Sequence, residues 1–382
     1  MRAAALGSLL DLFKEFGDQR RGHGLRHPQP FVMAYATVAM LLGAGGYQGF
    51  EDECSKLSQR QLRALGCRWN EKKKAFVPPS DSTFFRVLSK LDAAEFELAI
   101  GQWMMAQDIS VLERLAVDGK VLRGSGRTDG KPLQLLSAVT HRLRLTVAQL
   151  PIEDKTNEIP MFQPLLRKLP LGGSLITADA MHCQQATARF VTQELGADYL
   201  FGLKGNQNGI LERAEKKLPQ CFFPPEYDTG WVPDHGRLAR WRLQRVAVSP
   251  EESGLCGCWQ FLAVWRERQE LRQGKVVDTQ EEYQFYCASL AHAEHTAPEL
   301  LEIIRGHWSA CEIGAHYRRD VTLGEDASQI RKAAHPMATL RNLVLGLFEL
   351  QKDREQTDSE WVPGWQRKMT ASMAIKLIQG GL

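Results

Sequence analysis

RGHWSACEIGAHYRR, residues 305–319, sets Arg305, Trp308, Glu312, His316 and Arg319 at steps of three and four. On a helix these positions form one stripe of surface. A single carboxylate between an aromatic and several cationic groups is unusual on a plain solvated face, and two acids elsewhere make sense of it. Asp118 closes the apolar run LAVD and Asp179 closes SLITAD, each where a strand would run out. Two strand-end aspartates and one helix glutamate are the oxygen set that holds a pair of Mg²⁺ ions for in-line phosphoryl transfer. Plainer roles stand beside this one. Asp118 precedes Gly119 as a turn residue would, Asp179 sits where a helix N-cap would, and Glu325 and Asp326 rival Glu312 from a turn after Gly324.

Around these acids the sequence period changes. From Leu112, strand-like runs at 115–118, 134–140 and 145–150 are separated by Gly/Arg and His/Arg turns. Helical spacing follows at 160–168, a strand at 174–179, a helix at 182–195 and a strand at 199–203. Three strands followed by alternating helix and strand predict an α/β fold with an RNase H-like sheet, its first three strands antiparallel. Between about 204 and 290 the runs RWRLQRVAV, CWQFLAVWRE and EYQFYCAS predict a β-rich insertion ahead of the helix of Glu312.

Upstream, helical spacing appears at 6–17, from Pro30 to Gly43, at 56–65 and at 82–91. Pro79-Ser80-Asp81-Ser82 reads as the cap of the last of these, whose apolar positions are Phe84, Val87, Leu88 and Leu91. The expected division is a small all-helical domain over 1–100 and an RNase H-like catalytic domain over 101–382. On that division a fragment beginning near residue 100 folds by itself. A last apolar helix is expected at 336–350, before a polar, Trp-containing tail at 353–368.

A chain of 382 residues has ample length for a large core, and its formal charge is only +3. The excess is placed unevenly. Residues 1–98 hold 14 Lys/Arg against 11 Asp/Glu, and the remaining 284 hold 34 of each. That mild basic bias is compatible with DNA binding and does not establish it. The eight cysteines show no CxxC pair and no Cys/His zinc spacing, which points to reduced, mostly buried thiols. The N-terminus has no signal-peptide layout, and the Pro30–Gly43 run is too short to span a bilayer. A cytoplasmic, nucleoid-associated protein is the expectation.

LAVDGKVLRGS, TADAMHCQ, GLKGNQ, HGR and RGHW…E…HYRRDVTLGEDAS occur in that order, and with them the chain resembles the H-repeat-associated insertion-sequence transposases, a DDE family. The resemblance extends from LLDLFKEFGDQRRGHG to LRNLVLGLFEL. It implies an RNase H-like catalytic domain and the ligand role for Asp118, Asp179 and Glu312 on two Mg²⁺ ions, with Mn²⁺ able to substitute. It implies a DNA transposase that cuts its element's terminal inverted repeats and joins 3′-hydroxyls to target DNA, assembled on double-stranded DNA as a homodimer. Two departures stand out. Ile313 occupies a position where the family has Asn, and Ala239 one where it has an acid. The first removes a hydrogen bond beside Glu312.

Further residues are candidates for DNA contact, each with a structural alternative. His307, His316 and Arg319 suit scissile phosphates or ion pairing along a helix. Arg123, in RGSGR, suits a close backbone approach to DNA or a solvated hairpin turn. Lys204 and Asn206, after a strand end, suit backbone phosphates or a polar loop. His235 and Arg237 belong to the HGR motif, and Arg240, Arg242 and Arg245 form either a basic strand edge along DNA or a solvated face. Arg86 and Lys90 lie one turn apart opposite an apolar face, and with Arg20, Arg21 and Lys72 to Lys74 they suit terminal-repeat recognition or a plain domain surface. Two other functions remain open at this level: a transposase-derived DNA-binding protein with weak or no catalysis, motivated by Ile313 and Ala239, and a stand-alone nuclease using the same carboxylates only for hydrolysis.

Overall fold

The computed structural model describes residues 7–18, 20, 25–107, 109–126, 131–152, 157–218, 224–234, 236–273, 275–357 and 361–380. The expectations resting on Arg21, Arg127 and His235 lie outside the described residues. The longer strands are β1 (Arg114–Leu122), β2 (Leu133–Thr140), β3 (Thr146–Ile152), β4 (Leu175–Ala178), β5 (Asp198–Leu203), β6 (Arg237–Ala247), β7 (Gln260–Arg272) and β8 (Lys275–Ala288). The helices used below are α1 (Gln29–Leu41), α2 (Asp81–Leu88), α3 (Ala93–Gln107), α4 (Ala297–Trp308) and α5 (Ala334–Glu355). The chain divides into two compact units, one of residues 1–111, 119–156 and 310–382, the other of 112–118 and 157–309.

In the second unit the first half of β1 pairs with β4, and β4 with β5, both parallel. A parallel strand covered on both faces reads as a continuous apolar run, and Leu115, Ala116 and Val117 of β1 are fully buried. Antiparallel strands extend the order beyond β5: β8 pairs with β5, β7 with β8 and β6 with β7. This is the expected β-rich insertion. Leu200, Leu243, Leu262 and Tyr286 of the sheet pack with Leu300, Leu301, Ile303 and Ile304 of α4 in one apolar cluster. The expected helix over 182–195 is broken into a 3₁₀ turn at Ala180–His182, a short α-helix at Gln185–Arg189 and a wider, π-type turn at Phe190–Glu194.

In the first unit β2 lies next to β1 and pairs antiparallel with β3. Strand order and direction give the α/β, RNase H-like fold with a β-rich insertion that the sequence predicts, preceded by helices. α3, which helical spacing did not reveal because it is apolar nearly all round, crosses β3 so closely that a Cβ on Gly101 would sit 2.1 Å from the Val147 carbonyl oxygen. α5 buries Met337 through Leu350 almost without interruption, and α1 and α3 contact it. Glu97 of α3 accepts a hydrogen bond from Thr339 of α5, and Gln366 donates to the Met40 carbonyl of α1. Residues before 100 therefore share a core with residues after 310. A fragment beginning near residue 100 would leave the apolar face of α5 uncovered. The tail is more ordered than its polarity suggests, with helices at Val362–Lys368 and Ala371–Ile378 that bury Trp365, Ile375 and Ile378.

Candidate active site

Asp118 and Asp179 are each the next residue after a registered pair of parallel strands, Val117 opposite Ala178. Neighbouring parallel strands lie about 4.8 Å apart, and alternation sends residues one step beyond a matched pair to the same face. Both side chains are partly exposed. The parallel register thus brings the first two predicted acids to one end of the sheet in the second unit. β5 ends on the same side, because it runs parallel to β4. After it come Lys204, exposed, and Asn206, whose amide donates to the Ala180 carbonyl at 2.8 Å, one residue past Asp179.

α4 supplies a third group to this end of the sheet. Thr296 and Glu299 form a reciprocal cap at its start, and Leu300, Ile303, Ile304 and His307 fall on its buried stripe. His307 is 8% exposed. Its Nδ1 lies 2.9 Å from the Thr177 hydroxyl, and its Nε2 faces Asp179 Oδ1 at 3.9 Å. Burial pushes the imidazole down to about 4, against the pull of Asp179, so the ring is neutral at physiological pH. A neutral, buried imidazole is not a cationic phosphate contact, one of the two roles weighed for His307 from sequence. Arg305 is exposed and stacks on Trp241, its guanidinium 4.1 Å from the ring centroid.

The first unit holds Glu312. The winding widens after Trp308 into π-type turns over Ser309–Thr322, so the α-helical stripe predicted for this stretch is not kept. Glu312 is exposed, His316 is half-buried, and Ile313, Tyr317 and Val321 show large exposed apolar surfaces. Arg319 points inward and has no exposed surface. Its guanidinium meets Glu325 at 2.8 Å, and Glu325 also receives Arg341 at 3.3 Å and Lys120 at 3.9 Å. Lys120 in turn pairs with Asp320. Burial alone would raise the Glu325 carboxyl, and Arg319, Arg341 and Lys120 outweigh that and hold it below the ordinary carboxylate range. Glu325, weighed from sequence as a rival metal ligand, is the centre of a buried ion cluster. Lys120, two residues beyond Asp118, was missed because a lysine in a strand gives no sign of its partner.

The remaining candidates are dispersed. Arg123 is exposed and lies 3.7 Å from Asp326, and a Cβ on Gly124 would collide with the Ser328 carbonyl oxygen at 1.8 Å. The close backbone approach that glycine permits here is to the chain itself. Arg237 is exposed beside Gly236, whose φ of 81° makes the turn. Arg240 is held by Asp228 at 2.5 Å, Arg242 by Glu267 at 2.8 Å and Arg245 by Glu226 at 2.7 Å, so the arginines of β6 are largely engaged within the fold. Ala239 is fully buried in the apolar cluster of the insertion. Arg86 and Lys90 are exposed and Phe84, Val87 and Leu88 are buried, but α2 ends at Leu88, short of the expected 91, so Lys90 and the half-buried Leu91 lie beyond it.

Among the described residues, no group of three or more His, Cys, Asp or Glu side chains is gathered as if around a metal ion. The two carboxylates at adjoining strand ends in the second unit nevertheless suit a hard divalent cation. Among the described residues no helix is long and apolar enough to cross a membrane.

Residues 110–335 match the family model described as the transposase DDE domain, and residues 10–104 match that of the region associated with it. YncI of Escherichia coli O157:H7, named for a transposase, is 31% identical over 364 residues, covering 91% of this chain and 89% of that protein. The H repeat-associated protein YhhI of E. coli K12, also named for a transposase, is 28% identical over 384 residues, 95% of this chain and 94% of its own. A protein from the dhlA 3′ region of Xanthobacter autotrophicus is 43% identical over 260 residues, 65% of this chain and 83% of its own.

Proposed function

The chain belongs to the DDE transposase family, and from that premise we propose that it cuts DNA at the ends of its element and joins the freed 3′-hydroxyls to target DNA. Membership supports a polynucleotidyl transferase in general terms. The observation that carries the finer reading is the placement of Asp118 and Asp179 one step beyond a matched pair of parallel strands. Asp118, Asp179 and Glu312 would hold two Mg²⁺ or Mn²⁺ ions, which would activate the attacking oxygen and stabilise the leaving one. The carboxylates bind and orient the ions, and Lys204, exposed at the adjoining strand end, would neutralise a backbone phosphate.

In this reading the helical segment over 1–100 recognises the inverted repeats, working as part of the first unit. Arg86 and Lys90 present cationic surface there, with Arg237 on the β-rich insertion as a further phosphate contact. The double substitution of Arg86 and Lys90 by Ala is expected to weaken binding to the repeats and flatten its salt dependence. If both contact phosphates, the slope of log affinity against log salt falls by about 0.9 per contact. Unchanged affinity and slope would remove α2 from the DNA interface. The active form on DNA is a homodimer, as joining two ends requires two sites.

The test of activity is cleavage of duplexes carrying the element's own inverted repeats, with Mg²⁺, with Mn²⁺ and with neither. Cleavage is expected only with metal. Ile313 bears on the rate, since it is about half exposed, next to Glu312, and cannot hydrogen-bond. Restoring the amide with Ile313→Asn is expected to speed cleavage by roughly 10–100-fold, the usual worth of a group that orients a ligand. No cleavage by either protein, despite tight end binding, would instead support a silent DNA-binding role.

A further inference from the structure

We propose that His307 is a nitrogen ligand of the metal site, paired with Asp179, and that this pair biases the site toward Mn²⁺ over Mg²⁺. The proposal rests on the phosphoryl-transfer reading above for the presence of a divalent ion, and it adds the side chain that selects which ion.

Thr177 lies one residue from the end of β4. Its hydroxyl donates to the Leu115 carbonyl at 3.2 Å, an oxygen that can only accept. A Thr177 hydroxyl that gives its proton to Leu115 accepts from His307 at 2.9 Å, and this assignment puts the ring proton on Nδ1. Nε2 is then left with its lone pair. That lone pair faces Asp179 Oδ1 at 3.9 Å, so a nitrogen acceptor and a carboxylate acceptor look at each other with no hydrogen to share. Two acceptors repel unless something positive lies between them.

The separation suits an ion. At 3.9 Å it is less than twice a metal–ligand distance of about 2.1 Å, so one ion reaches both atoms without movement of the backbone. A metal-bound histidine almost always gives its other ring N–H to an oxygen acceptor, which fixes the tautomer and aims the ring. Thr177, anchored on Leu115, fills that role here. Mg²⁺ strongly prefers oxygen ligands, whereas transition ions accept imidazole. A nitrogen beside Asp179 therefore favours Mn²⁺. It also assigns His307 a task other than donating to phosphate, for which a lone pair at Nε2 has the wrong sign.

The test uses the full chain and Mn²⁺ alone, with no DNA. Pulsed electron paramagnetic resonance on protein carrying ¹⁵N-histidine is expected to show nitrogen coupling to bound Mn²⁺, lost in His307→Gln. Thr177→Val removes only the hydroxyl that fixes the tautomer, and it is expected to lower Mn²⁺ affinity by roughly 10–100-fold. Mg²⁺, titrated as a competitor, is expected to lose less. If His307→Gln does not fold, the wild-type spectrum and Thr177→Val decide the matter. Bound Mn²⁺ without nitrogen coupling, or full Mn²⁺ affinity in Thr177→Val, overturns the proposal. DNA cleavage by wild type in either case leaves the phosphoryl-transfer reading standing, whereas neither metal binding nor cleavage sinks both.

Discussion

Asp118→Asn is expected to abolish cleavage of element ends while leaving their binding intact or slightly tighter. The substitution keeps the shape of the side chain and its place at the end of β1. It replaces a charged oxygen ligand by a neutral amide, and a hard cation holds such a site chiefly through charge. Removing one negative charge also reduces repulsion of the phosphate backbone, hence the direction predicted for affinity. Because Asp118 is partly exposed and follows the buried Leu115 to Val117, the fold is expected to survive. Matched assays of cleavage and end binding check this. Cleavage near the wild-type rate would place the metal site elsewhere.

Glu325→Gln is expected to be strongly destabilising to the first unit. Glu325 is 3% exposed and stands among Arg319, Arg341 and Lys120, of which Arg319 is fully buried. Taking one partner from a buried ion cluster leaves its cations uncompensated, at a cost of about 3–5 kcal/mol. The pH dependence carries a sign. The Glu325 carboxyl is held below its ordinary value in the folded state, so its contribution is fully present above the unfolded pKa of about 4.3. It is lost as the pH falls through the lower, folded value. Chemical denaturation of both proteins is expected to show a large gap near neutral pH that narrows in acid. A gap under about 1 kcal/mol at neutral pH would mean that the cluster is more open to water than its burial indicates.

Much of the fold was legible because it rests on local period. The buried runs of β1, β4 and β5 are continuous and apolar, as strands covered on both faces must be, and turn residues bound them clearly. The aspartates were legible for a related reason, since a carboxylate that ends such a run stands out. α3 was not, because a helix apolar nearly all round has no moment to detect. The association of residues before 100 with those after 310 was hidden too, since linear composition cannot show which distant faces cover one another.

Around Glu312 the sequence pattern misled in an instructive way. Steps of three and four define a stripe only on an α-helix, and the segment winds wider from Ser309 onward. Arg319 consequently faces the interior and Glu325, while Ile313 and Tyr317 face solvent. The arginines of β6 were equally ambiguous from sequence, and their partners Asp228, Glu267 and Glu226 are distant or unremarkable in the chain until the strands pair. His307 was a candidate from sequence, but its buried, neutral setting was not legible there. Its burial on α4 and its bond to Thr177 depend on a contact between residues 130 apart in the chain.

Strand transfer tests the central claim most directly. A duplex bearing the element's inverted repeat, already cut to expose its 3′-hydroxyl, is incubated with the protein, a divalent metal and a supercoiled target plasmid. The expected product is the repeat end covalently joined through that 3′-hydroxyl to the plasmid, absent without metal and absent with Asp118→Asn. Hydrolytic nicking of the target with no joined product would contradict transposition and leave only a nuclease.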